Sequence, residues 1–161
     1  MSAFETFRKA GDHLAKHLPV YEVILLVLML IGVIISLSNP WGITLILVAV
    51  LVLCTFYLIA SFSPFEDENA GGITRIILAL SFYFLTIALV GVIFALRHWP
   101  LASVLLLTGS VLTLISSLYM IVSRMRKPAL RIINHWTILR SLIIGIGALL
   151  VYVFIFKILN K

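Results

Sequence analysis

Five uninterrupted apolar runs constrain the fold of this sequence more than any other feature. Each run is about 19 to 22 residues long, and a helix of that length crosses a hydrocarbon core of about 30 Å. Backbone polar groups in lipid must be satisfied within the segment, which favours helices, and the runs lack the alternation of a membrane β-barrel. The runs span residues 20–38, 41–62, 76–96, 101–122 and 138–156.

The composition agrees with a lipid-facing surface. Charged residues make up only 11% of the chain and hydrophobic residues 63%, whereas a soluble domain carries about 25% charged residues. We therefore predict an all-α, polytopic integral membrane protein with five transmembrane helices, forming a single transmembrane domain over residues 1–161.

The segment before the first run is amphipathic. Phe4, Phe7, Leu14 and Leu18 recur at helical spacing, with charged residues elsewhere around the helix. This pattern is typical of a helix lying in the membrane interface. We predict such a helix over residues 1–19, with Pro19 at the bend into the first span.

Lysine and arginine are distributed unevenly between the two sides of the predicted bundle. If the N-terminus is cytoplasmic, nine of the 12 basic residues lie on that side, which predicts a cytoplasmic N-terminus and an external C-terminus. The net charge of +6 is then a topology signal and does not indicate nucleic-acid binding. Four basic residues of the last connection are expected to contact anionic lipid headgroups: Arg124, Arg126, Lys127 and Arg131.

Two connections are so short that they predict antiparallel hairpins. They are Asn39–Pro40 and the segment Arg97–Pro100. Leu30–Trp41 and Leu89–Pro100 also align, with Gly32 and Gly91 among the identical positions. The sequence therefore predicts two repeated hairpins followed by a final span.

The second short connection combines Arg97, His98, Trp99 and Pro100. Proline is tolerated in the first turn of a helix, tryptophan suits the membrane interface, and arginine can extend to the headgroups. We interpret these residues as the corner of a hairpin, with a chemical site as the alternative.

This corner resembles the transmembrane hairpin of the GldL-type gliding-motility and type IX secretion motor proteins, which has the form F-K-x-x-H-W-P-G-A. Ala95 replaces the lysine of that motif and Leu101 its glycine. The resemblance implies a hairpin of this style in a bacterial inner (cytoplasmic) membrane. Motor activity is not implied, because run 101–122 lacks the buried glutamate expected to carry the proton in that family. The matching residues are Phe94, His98, Trp99, Pro100 and Ala102.

Glu22 is the only carboxylate within the five runs. Acidic residues inside a membrane are usually functional. Glu22, however, begins the first run, where a helix N-terminus favours negative charge. We favour the second interpretation, an interfacial residue in the first turn of a helix.

Hydroxyl residues form one stripe along the fourth run, at Ser103, Ser110, Thr113 and Ser117. Small polar residues at such spacing usually mediate close helix packing. A pore lining in a homo-oligomer is the alternative.

The sequence favours a non-catalytic function. We identify no catalytic residue, cofactor site or metal site, because His13 and His17 lack a third ligand and Cys54 is the single cysteine. We expect a small subunit or scaffold of a membrane complex, whose partners are membrane lipid, other membrane subunits or itself, and not nucleic acid. The alternative is a homo-oligomeric channel or small transporter. A third possibility is an immunity-type or envelope-stress membrane protein.

Overall fold

The computed structural model describes residues 3–63, 70–128 and 133–158, which form five α-helices and one π-helical turn. All five helices are long and apolar enough to cross a membrane. This confirms the prediction of an all-α, five-helix membrane protein. The elements are α1 (Ala3–Ser36), α2 (Trp41–Ala60), α3 (Gly72–Leu96), α4 (Ala102–Arg126) and α5 (His135–Tyr152), followed by the π-helical turn Val153–Ile158.

The helices pack as two hairpins with α5 added. α1 packs along α2, and α3 packs along α4; α3 also contacts α2 and α5, so it lies at the centre. Residues 37–40 and 97–101 join the helices of the two hairpins at one end of the bundle, here called the corner end. The opposite end, which carries Arg75, Arg124, Arg126 and Lys127, is called the basic end.

The N-terminal part of α1 packs on the end of α2. A Cβ on Gly11 would lie 2.8 Å from the carbonyl oxygen of Ile59, and Leu18 is buried in the core. The structure thus differs from the predicted separate interfacial helix, because α1 continues through Pro19 as one helix. Packing on α2 supports the helix where proline removes one hydrogen bond. The side chains of Phe4 and Phe7 lie outside the described residues.

The two hairpins use glycine at corresponding positions. A Cβ on Gly32 would lie 2.8 Å from the Ile46 side chain, and one on Gly91 would lie 2.7 Å from the Leu106 backbone and 3.0 Å from that of Leu105. Ile46 and Leu105 are separated by the same number of residues as Gly32 and Gly91. Both hairpins therefore bring their helices together at equivalent places, as the repeat predicts.

The hydroxyl stripe of α4 lies inside the bundle. Ser110, Thr113 and Ser117 are fully buried, and Ser103 is half-buried. Ser117 donates a hydrogen bond to the carbonyl of Thr113 in its own helix (2.8 Å). Packing against α3 and α5 accounts for this burial. These hydroxyl groups face neighbouring helices of the same chain, which favours the helix-packing interpretation; the pore lining at the centre of an oligomer stays a prediction.

Gly109 provides a test of this close packing. A Cβ at Gly109 would lie 2.6 Å from the Ala88 backbone nitrogen, whereas a Cβ at Gly147 on α5 meets no atom within 4 Å. Gly109→Ala must therefore separate α3 from α4, and we expect the free energy of unfolding to fall by about 2 to 3 kcal/mol. Gly147→Ala improves helix propensity and should raise the free energy of unfolding by about 0.5 to 1 kcal/mol.

The measurement is reversible unfolding in mixed detergent micelles followed by circular dichroism. Equal changes in the two variants would contradict the close α3–α4 contact.

Candidate functional site

Glu22 lies at the centre of a buried cluster of polar side chains from three helices. Its Oε1 accepts hydrogen bonds from the hydroxyl of Tyr57 (2.7 Å) and from Nη1 of Arg140 (2.8 Å). Its Oε2 accepts one from the indole Nε1 of Trp136 (2.6 Å). α1 thus supplies the acid, α2 the tyrosine, and α5 the tryptophan and the arginine. We call these four residues the Glu22 cluster.

Glu22 and Arg140 form an ion pair shielded from the surroundings. Each residue is only 7% exposed, and their charged atoms are 2.8 Å apart. The guanidinium carbon of Arg140 also lies 4.6 Å from the ring centre of Phe82 and 5.4 Å from that of Tyr57. Such cation–π contacts are stronger where water is excluded, so the two rings add to the stabilisation that Glu22 gives to Arg140.

The cluster lies inside the hydrocarbon region, toward the basic end. About fifteen residues of α1 separate Glu22 from the corner after Ser36, which corresponds to about 22 Å of a core about 30 Å thick. Trp136 and Arg140 occupy the first two turns of α5 and so lie at a similar depth. An ionised side chain at this depth needs a partner of opposite charge. Glu22 and Arg140 are that partner for each other.

Beside the cluster is a lateral groove. Over the described residues, α1 and α5 are not packed against each other along their lengths, and the Glu22 cluster connects them near the basic end. Below it lies a cavity of about 190 Å³, which we call the α1–α5 groove. Its apolar lining includes Leu26 and Met29 of α1, Leu53 of α2, Leu89 of α3, and Ile143 and Ile144 of α5.

The interpretation of Glu22 as a first-turn residue is wrong. α1 begins at Ala3, so Glu22 lies in the interior of a long helix, where no free N–H groups or helix terminus stabilise its charge. Its charge is balanced by Arg140 instead. Of the two interpretations of Glu22, an intramembrane acid with a specific partner is the one that the geometry supports.

The sequence contained a signal for this pairing. Arg140 is the only lysine or arginine within the five apolar runs, as Glu22 is the only carboxylate. Ionisable residues inside a membrane usually pair with one another, so these two residues could have been assigned to each other. Tyr57 and Trp136 carried no comparable signal, since aromatic residues near span ends are common.

The corner residues lie at the other end of the bundle, away from the Glu22 cluster. Arg97, His98, Trp99 and Pro100 are all exposed, and the Trp99 N–H donates to the carbonyl of Phe94 (2.9 Å). The Trp99 and Phe94 rings also meet edge to face, 5.0 Å apart. These contacts favour the interpretation as a hairpin corner.

The helix after this corner begins later than expected. α4 starts at Ala102, and Pro100 lies before its first turn. The reason is Leu101, which has a left-handed conformation with φ of 67° that costs a non-glycine residue about 1 to 2 kcal/mol. Leu101 stands where the resembling family has glycine, the residue that adopts this conformation without strain.

Arg124 holds the start of α5. It donates to the carbonyl of Ile133 (2.8 Å), and its Nη2 lies 3.1 Å from Nε2 of His135. Arg126 and Lys127 are exposed at the basic end. Arg131 lies outside the described residues.

The structure offers no metal site among the described residues. His13 and His17 have ring centres 4.7 Å apart, but no group of three or more potential ligands forms in the part of the chain that is described. Cys54 is buried within α2.

Comparison with protein-family models, with curated proteins and with solved structures finds no match to this chain. The functional argument therefore depends on the geometry of the Glu22 cluster and of the groove beside it. The resemblance of the corner to the GldL-type hairpin stays a prediction based on the residues that carry it.

The ion pair can be tested by removing one charge at a time. Glu22→Gln keeps the shape of the side chain and leaves Arg140 buried without a counter-charge. We expect the free energy of unfolding to fall by about 3 to 5 kcal/mol, and the double variant Glu22→Leu/Arg140→Met to lose less than either Glu22→Gln or Arg140→Gln alone. The free energy of unfolding is measured in mixed micelles for the wild-type protein, the two single variants and the double variant.

The chain contains a matched control for this test. Asp12 and Lys16 form an ion pair of similar length, 2.9 Å, whose side chains are exposed. Asp12→Asn should therefore cost less than about 1 kcal/mol. A loss for Glu22→Gln as small as that for Asp12→Asn would show that the buried pair does not stabilise the bundle.

Proposed function

We propose that this protein is a non-catalytic integral membrane protein, a small subunit or scaffold of a membrane complex. The observation that carries the proposal is the Glu22 cluster. Its acid makes three hydrogen bonds, to α2 and α5, so the charged groups inside the membrane fix the position of α1 on the bundle. A rigidly placed peripheral helix suits a protein whose function is to hold others.

The outer face of α1 is the surface that we assign to a partner. α1 packs along α2 and leaves most of its membrane-spanning surface uncovered. Apolar side chains are exposed over the whole span, from Val20 and Val23 near the basic end to Ile31 and Ile34 near the corner end. Without a hydrophobic driving force in lipid, association on such a face depends on shape and packing, which a fixed helix provides.

The buried hydroxyl groups agree with a structural role. Ser110 donates to Leu107, Ser116 to Thr113, and Ser141 to Thr137, each to a carbonyl of its own helix. The protons of these three hydroxyl groups are therefore already engaged, and the small side chains allow close approach of the helices. The channel alternative loses its main support, since the hydroxyl stripe is buried within the chain.

We place the protein in a bacterial inner membrane, with the basic end and the N-terminus in the cytoplasm. The distribution of basic residues supports this orientation, and the resemblance of the corner to GldL-type hairpins supports the bacterial setting. Anionic headgroups on the cytoplasmic side would contact the exposed Arg126 and Lys127.

Photo-crosslinking inside the native membrane tests the scaffold function. A photoreactive phenylalanine derivative at Ile34 of α1 (67% exposed) is compared with one at Leu118 of α4 (62% exposed). We expect Ile34 to give a defined adduct with another membrane protein or with a second copy of this chain, and Leu118 to give lipid adducts only. Lipid adducts alone at both positions would exclude a partner on α1.

Cysteine labelling tests the orientation separately. Trp99→Cys at the corner and Arg126→Cys at the basic end are both exposed positions, placed in a Cys54→Ser background. In intact spheroplasts, a membrane-impermeant maleimide should label the first variant and not the second. Labelling of Arg126→Cys alone would reverse the proposed topology.

A further inference from the structure

We propose that the α1–α5 groove is a binding site for an anionic phospholipid, with one acyl chain in the groove and the headgroup beside Arg124 and His135. The proposal is independent of any protein partner on α1. It rests on the shape of the groove, on its position in the membrane and on the charges at its polar end.

The groove has the lining and the size for an apolar chain. Its cavity of about 190 Å³ is larger than the apolar cavity of about 150 Å³ that holds benzene in another protein. Leu53 is buried at its base, whereas Leu26 of α1 and Ile143 of α5 are exposed at its rim. The groove therefore opens sideways between two helices that both span the membrane, where acyl chains surround the protein.

The groove also has a direction. Glu22, Trp136 and Arg140 line its polar end, toward the basic end, and Ile143 and Ile144 lie deeper along α5. From Trp136 to Ile144 the lining extends along about 12 Å of helix. An amphiphile in this groove has its chain among the apolar residues and its polar group beyond Trp136, toward the basic end.

The charges beyond the polar end favour an anionic headgroup. Arg140 is neutralised by Glu22, so the pair itself attracts neither sign strongly. Arg124 is linked to this end of α5, because its Nη2 lies 3.1 Å from Nε2 of His135, the neighbour of Trp136 in the first turn of the helix. Among the described residues, no carboxylate forms an ion pair with Arg124, and guanidinium groups bind phosphate well.

Tryptophan fluorescence gives a direct test, because Trp136 itself lines the groove. The other two tryptophans, Trp41 and Trp99, lie at the corner end and are replaced by phenylalanine. The single-tryptophan protein is reconstituted into phosphatidylcholine vesicles containing increasing fractions of phosphatidylglycerol brominated in its chains. The parallel series uses brominated phosphatidylcholine in place of the phosphatidylglycerol.

We expect the brominated phosphatidylglycerol to quench Trp136 at roughly threefold lower mole fraction than the brominated phosphatidylcholine. Leu26→Phe at the rim should fill the groove and abolish most of this difference, while Leu118→Phe, at an exposed position on α4, should keep it. Arg124→Gln should reduce the preference for the anionic lipid.

Two results would overturn the proposal. Equal quenching by the two lipids excludes a site that selects an anionic headgroup, and a preference that survives Leu26→Phe places the lipid outside the groove. The emission maximum of Trp136 and the circular dichroism spectrum verify that each variant is folded. Because the vesicles contain no other protein, the outcome does not depend on whether α1 binds a partner.

Discussion

Placing two ionised side chains in lipid is unfavourable unless they meet, and this constraint organises the basic-end half of the molecule. Glu22 lies in the interior of α1 and Arg140 in the second turn of α5, and their backbones are not packed together. The two long side chains bridge that gap. Tyr57 and Trp136 each donate a further hydrogen bond to the carboxylate, so that the position of α1 is determined jointly by α2 and α5.

The corner-end half is held together by a different kind of contact. There, small residues allow helix backbones to approach closely, as Gly91 does against Leu106 and Gly109 against Ala88. Close approach of this kind provides van der Waals contact without any loss of water from polar groups, and it is the usual basis of helix association in membranes. Close packing thus holds the corner end, whereas the basic end adds a buried ion pair to packing contacts such as that of Gly11 with Ile59.

Much of this fold could be predicted from the sequence, because the thickness of the bilayer fixes the length of an apolar run. The five spans followed from that requirement, and the two tight hairpins followed from the short connections between spans. The continuity of α1 through Pro19 did not, since it depends on tertiary contacts such as that of Gly11 with Ile59. The same misplaced helix start led to the wrong interpretation of Glu22. Its partner Arg140 could have been predicted by matching the charges within the five runs. The groove could not, because apolar residues such as Leu26 and Ile143 are the same types that face lipid elsewhere.

The ion pair also determines how the protein responds to the electric field across a membrane. Moving one elementary charge through a potential of 100 mV changes the free energy by about 2.3 kcal/mol. Glu22 and Arg140 carry opposite charges held 2.8 Å apart, so a displacement of the pair as a unit moves no net charge through the field. Voltage therefore does almost no work on this pair when it moves as a unit, because the contributions of the two charges cancel.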